Sequence, residues 1–490
     1  MWYPSFFVIF LKLCLTNGKK YAAFLLIAIS KKALVIRGVS TAKLQGGLCM
    51  SNKIENIKRK LDEAIQNVCD AIGIFSVHPE RDFTRERILT PDKLIRFLLS
   101  MEGGVLGTEM LNHFGCSVEI PSPSAFVQQR AKIGPDMLPA LLELFIQKTD
   151  MDKRYKGLRL LAVDGSDILI PANPHDLDSY FTGTDIQKHY NLLHLDAMYD
   201  LLQHTYVDAE LLGKRKANER NSLCSMVDLS RIKRALLIAD RGYEGYNVMA
   251  HIQEKGWFFL IRIQDVLNSN GIAAGLDLPD TEEFDFYIDL CLTTKQTNEV
   301  KQLLKHKNQF KHLPKSFDYL PQQNRKHDPT VFYKLPFRVV RFKIGEGSYE
   351  TVVTNLDSFN FPTLELKKLY HMRWGIETSF RELKYTLGLL HFHAKKVENI
   401  YQEVFSRLIM YNFTELVTSH VIIQKTNTKL DYKANFTIAV HVCRQFFRGN
   451  VSPPDVEALI RRHVSPIRPG RSRPRKMTVK HAVSFVYRVA

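Results

Sequence analysis

Three acidic residues, Asp164, Asp240 and Glu377, are candidates for holding divalent cations during phosphoryl transfer. That chemistry needs carboxylates rigid enough to place two ions ~3.5–4 Å apart, one activating the nucleophile and one stabilising the leaving oxygen. Asp164 follows the apolar run 158–163 and Asp240 follows 235–239, so each is expected at a strand end, where the backbone is stiff. Taken singly, either Asp also reads as a turn residue. Asp167 competes with Asp164 but lies past the Asp164-Gly165-Ser166 turn and is the weaker candidate.

Glu377 stands in KKLYHMRWGIETSFRELKYTLGLLHFH, together with Tyr370, Arg373 and Lys384. On a helix turning about 100° per residue, these four fall within an arc of about 60°. Leu369, Ile376, Phe380, Leu383 and Leu387 occupy the adjacent arc, the predicted core face. A solvated charged face is the default reading of such groups. Phosphoryl transfer gives each of them a role, with Glu377 as metal ligand, Arg373 and Lys384 on phosphates, and Tyr370 on a phosphate or base.

The elements that must position these residues change along the chain. Residues 50–150 read as helical, with Thr90-Pro91-Asp92 as a helix start. Two short helices are expected at 105–114 and 125–133, across a Pro-rich turn. Gln128, Gln129 and Arg130 on the second could contact DNA, although polar helix pairs are common. From 158 the pattern becomes strand-like, with a further strand stretch at 189–210 and a strand-rich block at 257–356. After Pro362 the chain reads as helical to about 420, and then as a basic, loop-like tail.

The charge is unevenly spread. Of the net +17, residues 1–49 carry +7 and 431–490 carry +9, so the 50–430 stretch is nearly neutral. Seven scattered cysteines without a C-x-x-C pair exclude a cysteine-built zinc site and fit a reducing compartment. The apolar runs in 1–49 are too short to span a bilayer, which takes ~20 residues, and they make a poor signal peptide. Met50 is expected to be the working start. The basic balance points to a polyanionic partner.

The spacing Y-x2-R-x3-E-x6-K, matched by Tyr370, Arg373, Glu377 and Lys384, resembles the signature of bacterial insertion-sequence transposases with an Asp-Asp-Glu triad. Val163-Asp164-Gly165-Ser166 and Asp240-Arg241-Gly242-Tyr243 resemble that family's first and second aspartate motifs. Residues 124–133 are similar to its N-terminal region and the Arg/Pro tail to its C-terminal end, so the resemblance covers roughly 90–485. Residues 1–49 match nothing in the family. The resemblance implies an α/β fold with an RNase H-like catalytic core at 151–256 and 357–430. It also implies a β-rich insertion at 257–356, a helical DNA-binding region at 50–150 and a basic tail at 431–490.

The implied activity is cut-and-paste transposition through a DNA hairpin. Asp164, Asp240 and Glu377 would be both catalytic and metal-binding, with two Mg²⁺ or Mn²⁺ ions. The implied partners are the element's terminal inverted repeats, target DNA and a second copy of the chain. No small-molecule cofactor or membrane is implied, and the setting is the bacterial cytoplasm, at the nucleoid. Relatives hold a flipped base with an aromatic residue of the insertion; Trp257 is a tempting equivalent, but a buried strand Trp is the plainer reading. His391 and His393 are read as structural or phosphate-proximal, because Mg²⁺ prefers oxygen ligands. Two alternatives stay open: a nuclease of the same fold that cuts without joining, and a catalytically dead DNA-binding protein.

Overall fold

The computed structural model describes residues 50–467, apart from 86, 184–187, 266–270, 314–316, 322–330, 422 and 424–430. The expected leader 1–49 and the Arg/Pro run at the end of the chain lie outside the described residues.

The N-terminal helices are α1 (Met50–Asp70), α2 (Pro91–Ser100), α3 (Leu106–Phe114), α4 (Pro123–Arg130) and α5 (Met137–Thr149). There follow β1 (Arg159–Ile170), β2 (Tyr180–Phe181), β3 (Tyr190–Asp200), β4 (Thr205–Gly213), α6 (Glu219–Leu229), β5 (Ala235–Ala239), α7 (Tyr246–Glu254) and β6 (Phe258–Arg262). Next come β7 (Phe284–Thr293), α8 (Asn298–Leu303), β8 (Phe310–His312), β9 (Tyr333–Gly345), β10 (Ser348–Thr354), α9 (Thr363–Met372) and α10 (Trp374–Tyr385). The chain closes with α11 (Val397–Thr418), β11 (Tyr432–Ala434), α12 (Phe436–Arg448), α13 (Pro453–Arg462) and β12 (Val464–Pro466). Two compact units divide it: Met1–Met151 with Leu169–Asn191 and Arg381–Ala490, and Asp152–Ile168 with Leu192–Phe380.

The first unit is mainly helical. Thr90 caps α2 by accepting from the Lys93 N–H, and Pro91 occupies its first turn; Ser122 and Pro123 do the same for α4. Helix α11 is buried on nearly all sides, as an apolar central helix should be, and packs on α1, α2, α5 and α12. The expected loop-like tail is helical over 436–462. Asn435 caps α12, Gly449 ends it in the left-handed conformation (φ 86°), and Val440, Cys443, Phe446 and Phe447 are buried at helical spacing.

The second unit is built on a mixed sheet in which β3-β1-β5-β6-β10-β9-β7-β8 are neighbours in that order and β4 also pairs with β3. Strands β1, β5 and β6 are parallel, while β10 runs antiparallel to β6 and β9, and β9 to β7. All five residues of β5 are buried, which explains its unbroken apolar run. The strand-rich block continues this sheet, since β6 pairs directly with β5. Trp257 leads into β6 at 1% exposure and donates its indole N–H to the Ile232 carbonyl at 2.9 Å; it is a buried anchor. The 189–210 stretch folds as the hairpin β3–β4. Asp200 accepts from the N–H groups of Leu202 and Gln203 at 2.8 Å, and His204 takes φ 56°. No helix among the described residues is long and apolar enough to cross a membrane.

Candidate active site

Pairing between β1 and β5 ends at Ala162 and Ile238, and Asp164 and Asp240 each lie two residues further on. They therefore emerge side by side where the pairing of these two parallel strands ends, at the carboxyl end of β5, where α/β sheets place their ligands. Asp164 is not at a strand end as expected: β1 continues to Ile170, and only its β5 partner stops there. Asp240 instead begins a 3₁₀ turn, with its Oδ1 accepting from the Gly242 N–H at 2.8 Å.

Glu377 is in the first turn of α10. That helix is held against β4 by the buried Tyr206 hydroxyl, 2.6 Å from Ser379 Oγ, and by the buried side chains of Ile376 and Phe380. Arg373 Nη2 donates to Glu377 Oε1 at 2.7 Å, and Nη1 lies 4.0 Å from Asp164 Oδ2. One guanidinium thus contacts two of the three carboxylates. Burial, joined by the like charges of Asp240 and Glu377, pushes the Asp164 carboxyl up to about 6 against the pull of Arg373. Acids crowded until they resist ionising are characteristic of metal-binding and catalytic sites.

The four signature residues do not share one solvent-facing stripe. The helix breaks at Arg373, between α9 and α10, and Tyr370 and Arg373 are 3% and 4% exposed. The Tyr370 ring centre lies 5.9 Å from the Arg373 guanidinium. The Tyr370 hydroxyl and Arg373 Nε are buried without a hydrogen-bond partner. Lys384 is half-buried in the last turn of α10, in the part of the chain grouped with the first unit.

The N-terminal candidates fare differently. Gln128 is exposed and bonds Ser124, whereas Gln129 and Arg130 are 9% and 1% exposed. Arg130 donates to Gln402 at 3.1 Å, Glu403 at 3.0 Å and the Asn399 carbonyl at 2.7 Å. All three guanidinium nitrogens are thus bonded inside the helical unit and the side chain is buried, which gives Arg130 a structural role, and Gln129 is buried as well. His393 is half-buried, with its ring nitrogens 3.3 Å from Glu109 and 3.5 Å from Glu403.

Among the described residues, the acidic group drawn close enough to share one ion is His194, Asp196 and Glu219, whose ligand atoms all lie within 4.8 Å of one another. None of the three stood out in the sequence. The available signal was His194-x-Asp196, which puts both side chains on one face of a strand. A methyl at Gly165, next to Asp164, would sit 2.6 Å from His194 Nε2 and 3.1 Å from Asp196 Oδ1. Gly165→Ala is therefore expected to cost about 1–3 kcal/mol through overpacking and to displace Asp164. A variant with wild-type Tm would contradict that tight approach.

Comparison with known proteins bears on this arrangement. The transposase DDE domain family matches residues 155–413. Transposase InsG for insertion sequence element IS4, from Escherichia coli (strain K12), is 24% identical over 304 residues, covering 59% of this chain and 60% of that protein. The matched region thus spans about 60% of the curated relative's length. A cryo-EM structure of piggyBac transposase in a synaptic complex with hairpin DNA superposes with a TM-score of 0.41 and 10% identity, over 81% of this chain and 80% of that one. The family match takes in Asp164, Asp240 and Glu377 and more than half of the chain, and the chain belongs to the transposase DDE domain family.

Proposed function

We propose that the chain is a transposase that cuts and joins DNA at Asp164, Asp240 and Glu377. The observation that carries this reading is the placement of Asp164 and Asp240 just past the last paired residues of β1 and β5, with Arg373 linking Asp164 to Glu377. Three carboxylates, two of them bridged by Arg373, would suit hard divalent cations, Mg²⁺ or Mn²⁺, and two ions are expected. When bound, such ions supply an activated water and stabilise the leaving oxygen.

The chain's own groups hold and orient the DNA. Arg373, fixed by Glu377 and stacked by Tyr370, presents a buried cation for a phosphate; the Tyr370 hydroxyl and Arg373 Nε offer further polar contacts. Lys384 is assigned to the DNA backbone. Water attacks the phosphorus at the element end and the 3′-oxygen leaves with a proton. The freed 3′-hydroxyl would attack a phosphorus of the opposite strand, expelling the flanking DNA's 3′-oxygen with a proton and closing a hairpin. A second water opens the hairpin by hydrolysis, and the regenerated 3′-hydroxyl attacks a target phosphorus, expelling a target 3′-oxygen with a proton. We read β1, β3–β6 and α10 as the RNase H-like core, β7–β10 as the inserted strands, the N-terminal helices as a DNA-binding region and the DNA-bound form as a homodimer at the nucleoid.

The test uses labelled duplex carrying the inverted repeat that flanks the gene. With Mg²⁺, a nick, then a hairpin, then a product joined to target DNA are expected. Cleavage without hairpin or joined product would favour the nuclease. Tight binding with no cleavage would leave only the inactive DNA-binding reading.

A further inference from the structure

The second unit holds a cluster that the proposed cleavage chemistry does not use. His194 and Asp196 are 3% and 0% exposed on β3, and Glu219 opens α6. His194 Nε2 lies 3.2 Å from both Asp196 Oδ1 and Glu219 Oε1, yet Nε2 and both Asp196 oxygens lack any hydrogen-bond partner. A buried carboxylate left without hydrogen bonds is costly unless something positive faces it.

The far side of the ring is already fixed. His194 Nδ1 is 2.5 Å from Asp167 Oδ1 and 3.0 Å from Lys214 Nζ, which leaves Nε2 as the ring nitrogen facing Asp196 and Glu219; as a metal ligand the ring would give up its Nε2 proton. Lys214 steadies Asp167 at 2.8 Å. A carboxylate behind a histidine that turns its other nitrogen toward further oxygen ligands is the usual outer support of a metal-bound imidazole. With metal–ligand bonds near 2.0–2.2 Å, neighbouring ligands sit about 2.9–3.4 Å apart, and the observed 3.2 Å falls in that range. With the ring neutral, as a metal ligand must be, Asp167, Asp196 and Glu219 against Lys214 leave a net −2 for a divalent ion to balance, and the ion would replace the positive charge that the surrounding acids otherwise induce on the ring. A polar cavity of about 320 Å³, lined by His194, Lys214, Asn218, Glu219, Arg220 and Gly242, gives access.

We propose that His194 Nε2, Asp196 and Glu219 bind one divalent transition-metal ion in a site distinct from the Asp164–Asp240–Glu377 carboxylates. One nitrogen and two carboxylates suit Mn²⁺ or Zn²⁺ better than Mg²⁺. Because His194 and Asp196 pack against Gly165, the ion would brace the β1 segment that carries Asp164. This site goes beyond the cleavage reading and does not depend on it.

Mn²⁺ added to the full chain tests it, with pulsed electron paramagnetic resonance as the readout. A directly bound imidazole gives the manganese a ¹⁴N hyperfine coupling, which an all-carboxylate site cannot. The coupling is expected in the wild type, expected to persist in Asp164→Asn/Glu377→Gln, and expected to vanish in His194→Gln. Asp167→Asn, half-exposed and tolerant in folding terms, is expected to weaken Mn²⁺ binding by about 10–100-fold. Absence of the coupling in manganese-loaded wild type, or its survival in folded His194→Gln, overturns the proposal. Either result leaves the carboxylate triad untouched, since that site contributes only oxygen.

Discussion

Asp164→Asn is expected to lower DNA cleavage by about 10³-fold or more while leaving DNA binding close to wild type. Asn matches Asp in volume and can still accept from the Gly165 N–H, which Asp164 Oδ1 meets at 3.0 Å. What disappears is one of the charges that would hold a cation, and catalytic electrostatic groups of this kind are commonly worth about 10²–10³ each. The fold should not suffer. Burial and the neighbouring Asp240 and Glu377 raise the Asp164 carboxyl to about 6, so the native state disfavours its charge. Neutralising it is expected to leave Tm unchanged or slightly raised, the usual trade between stability and an active site. Single-turnover cleavage, gel-shift affinity and a thermal melt on the same preparation separate these effects. Cleavage within about tenfold of wild type would remove Asp164 from the chemistry.

The second large effect lies in the helical unit. Arg130→Ala is expected to destabilise that unit by about 3–5 kcal/mol, because it strands the buried Glu403 carboxylate. Glu403 is 1% exposed and sits between Arg130 at 3.0 Å and Arg407 at 3.5 Å. Burial by itself would raise its carboxyl; Arg130, His393 and Arg407 outweigh that and hold it well below the usual carboxylate range. The stability this provides is complete above the ordinary Glu value of about 4.3 and is lost as pH falls toward the depressed folded value. His393 has the opposite sign. Burial lowers it, but Glu109 and Glu403 raise it to about 9, so its contribution is complete below about 6.5 and fades as pH rises through about 9. Denaturant unfolding of Arg130→Ala, Glu403→Leu and the double variant measures the coupling. A double variant more stable than either single change would show that the cost comes from the stranded charge. An Arg130→Ala variant within about 1 kcal/mol of wild type would contradict it.

How much of this was legible before the structure varied with the physics of each residue. Strands β1 and β5 were readable because parallel strands buried on both faces become continuous apolar runs; the polar residues that follow mark the end of β5 but not of β1, which runs on to Ile170. The helical character of the signature segment was readable by its spacing, but its break at Arg373 was not. Its burial was not, because periodicity locates an arc but not what covers it; Tyr370 and Arg373 prove buried. Arg130 misled for the same reason: an arginine paired inside a helical bundle looks, in sequence, like one offered to DNA. The β3–β4 turn, Leu201-Leu202-Gln203-His204, carries no Gly or Pro; the Asp200 side chain satisfies its backbone instead. His194 and Glu219 meet only in three dimensions, 25 positions apart, with no spacing rule to announce them.

If Asp240, with Asp164 and Glu377, holds the divalent ion that acts on DNA, the identity of its ligand atom must set which metal works. Asp240→Cys replaces a hard oxygen ligand with a soft sulfur, which Mg²⁺ accepts poorly and Mn²⁺ accepts better. This variant is expected to lose element-end cleavage in Mg²⁺ and to regain it by about tenfold or more when Mn²⁺ replaces Mg²⁺, beyond any effect of the exchange on wild type. Cleavage by Asp240→Cys in Mg²⁺ at the wild-type rate would contradict a metal-holding role for Asp240.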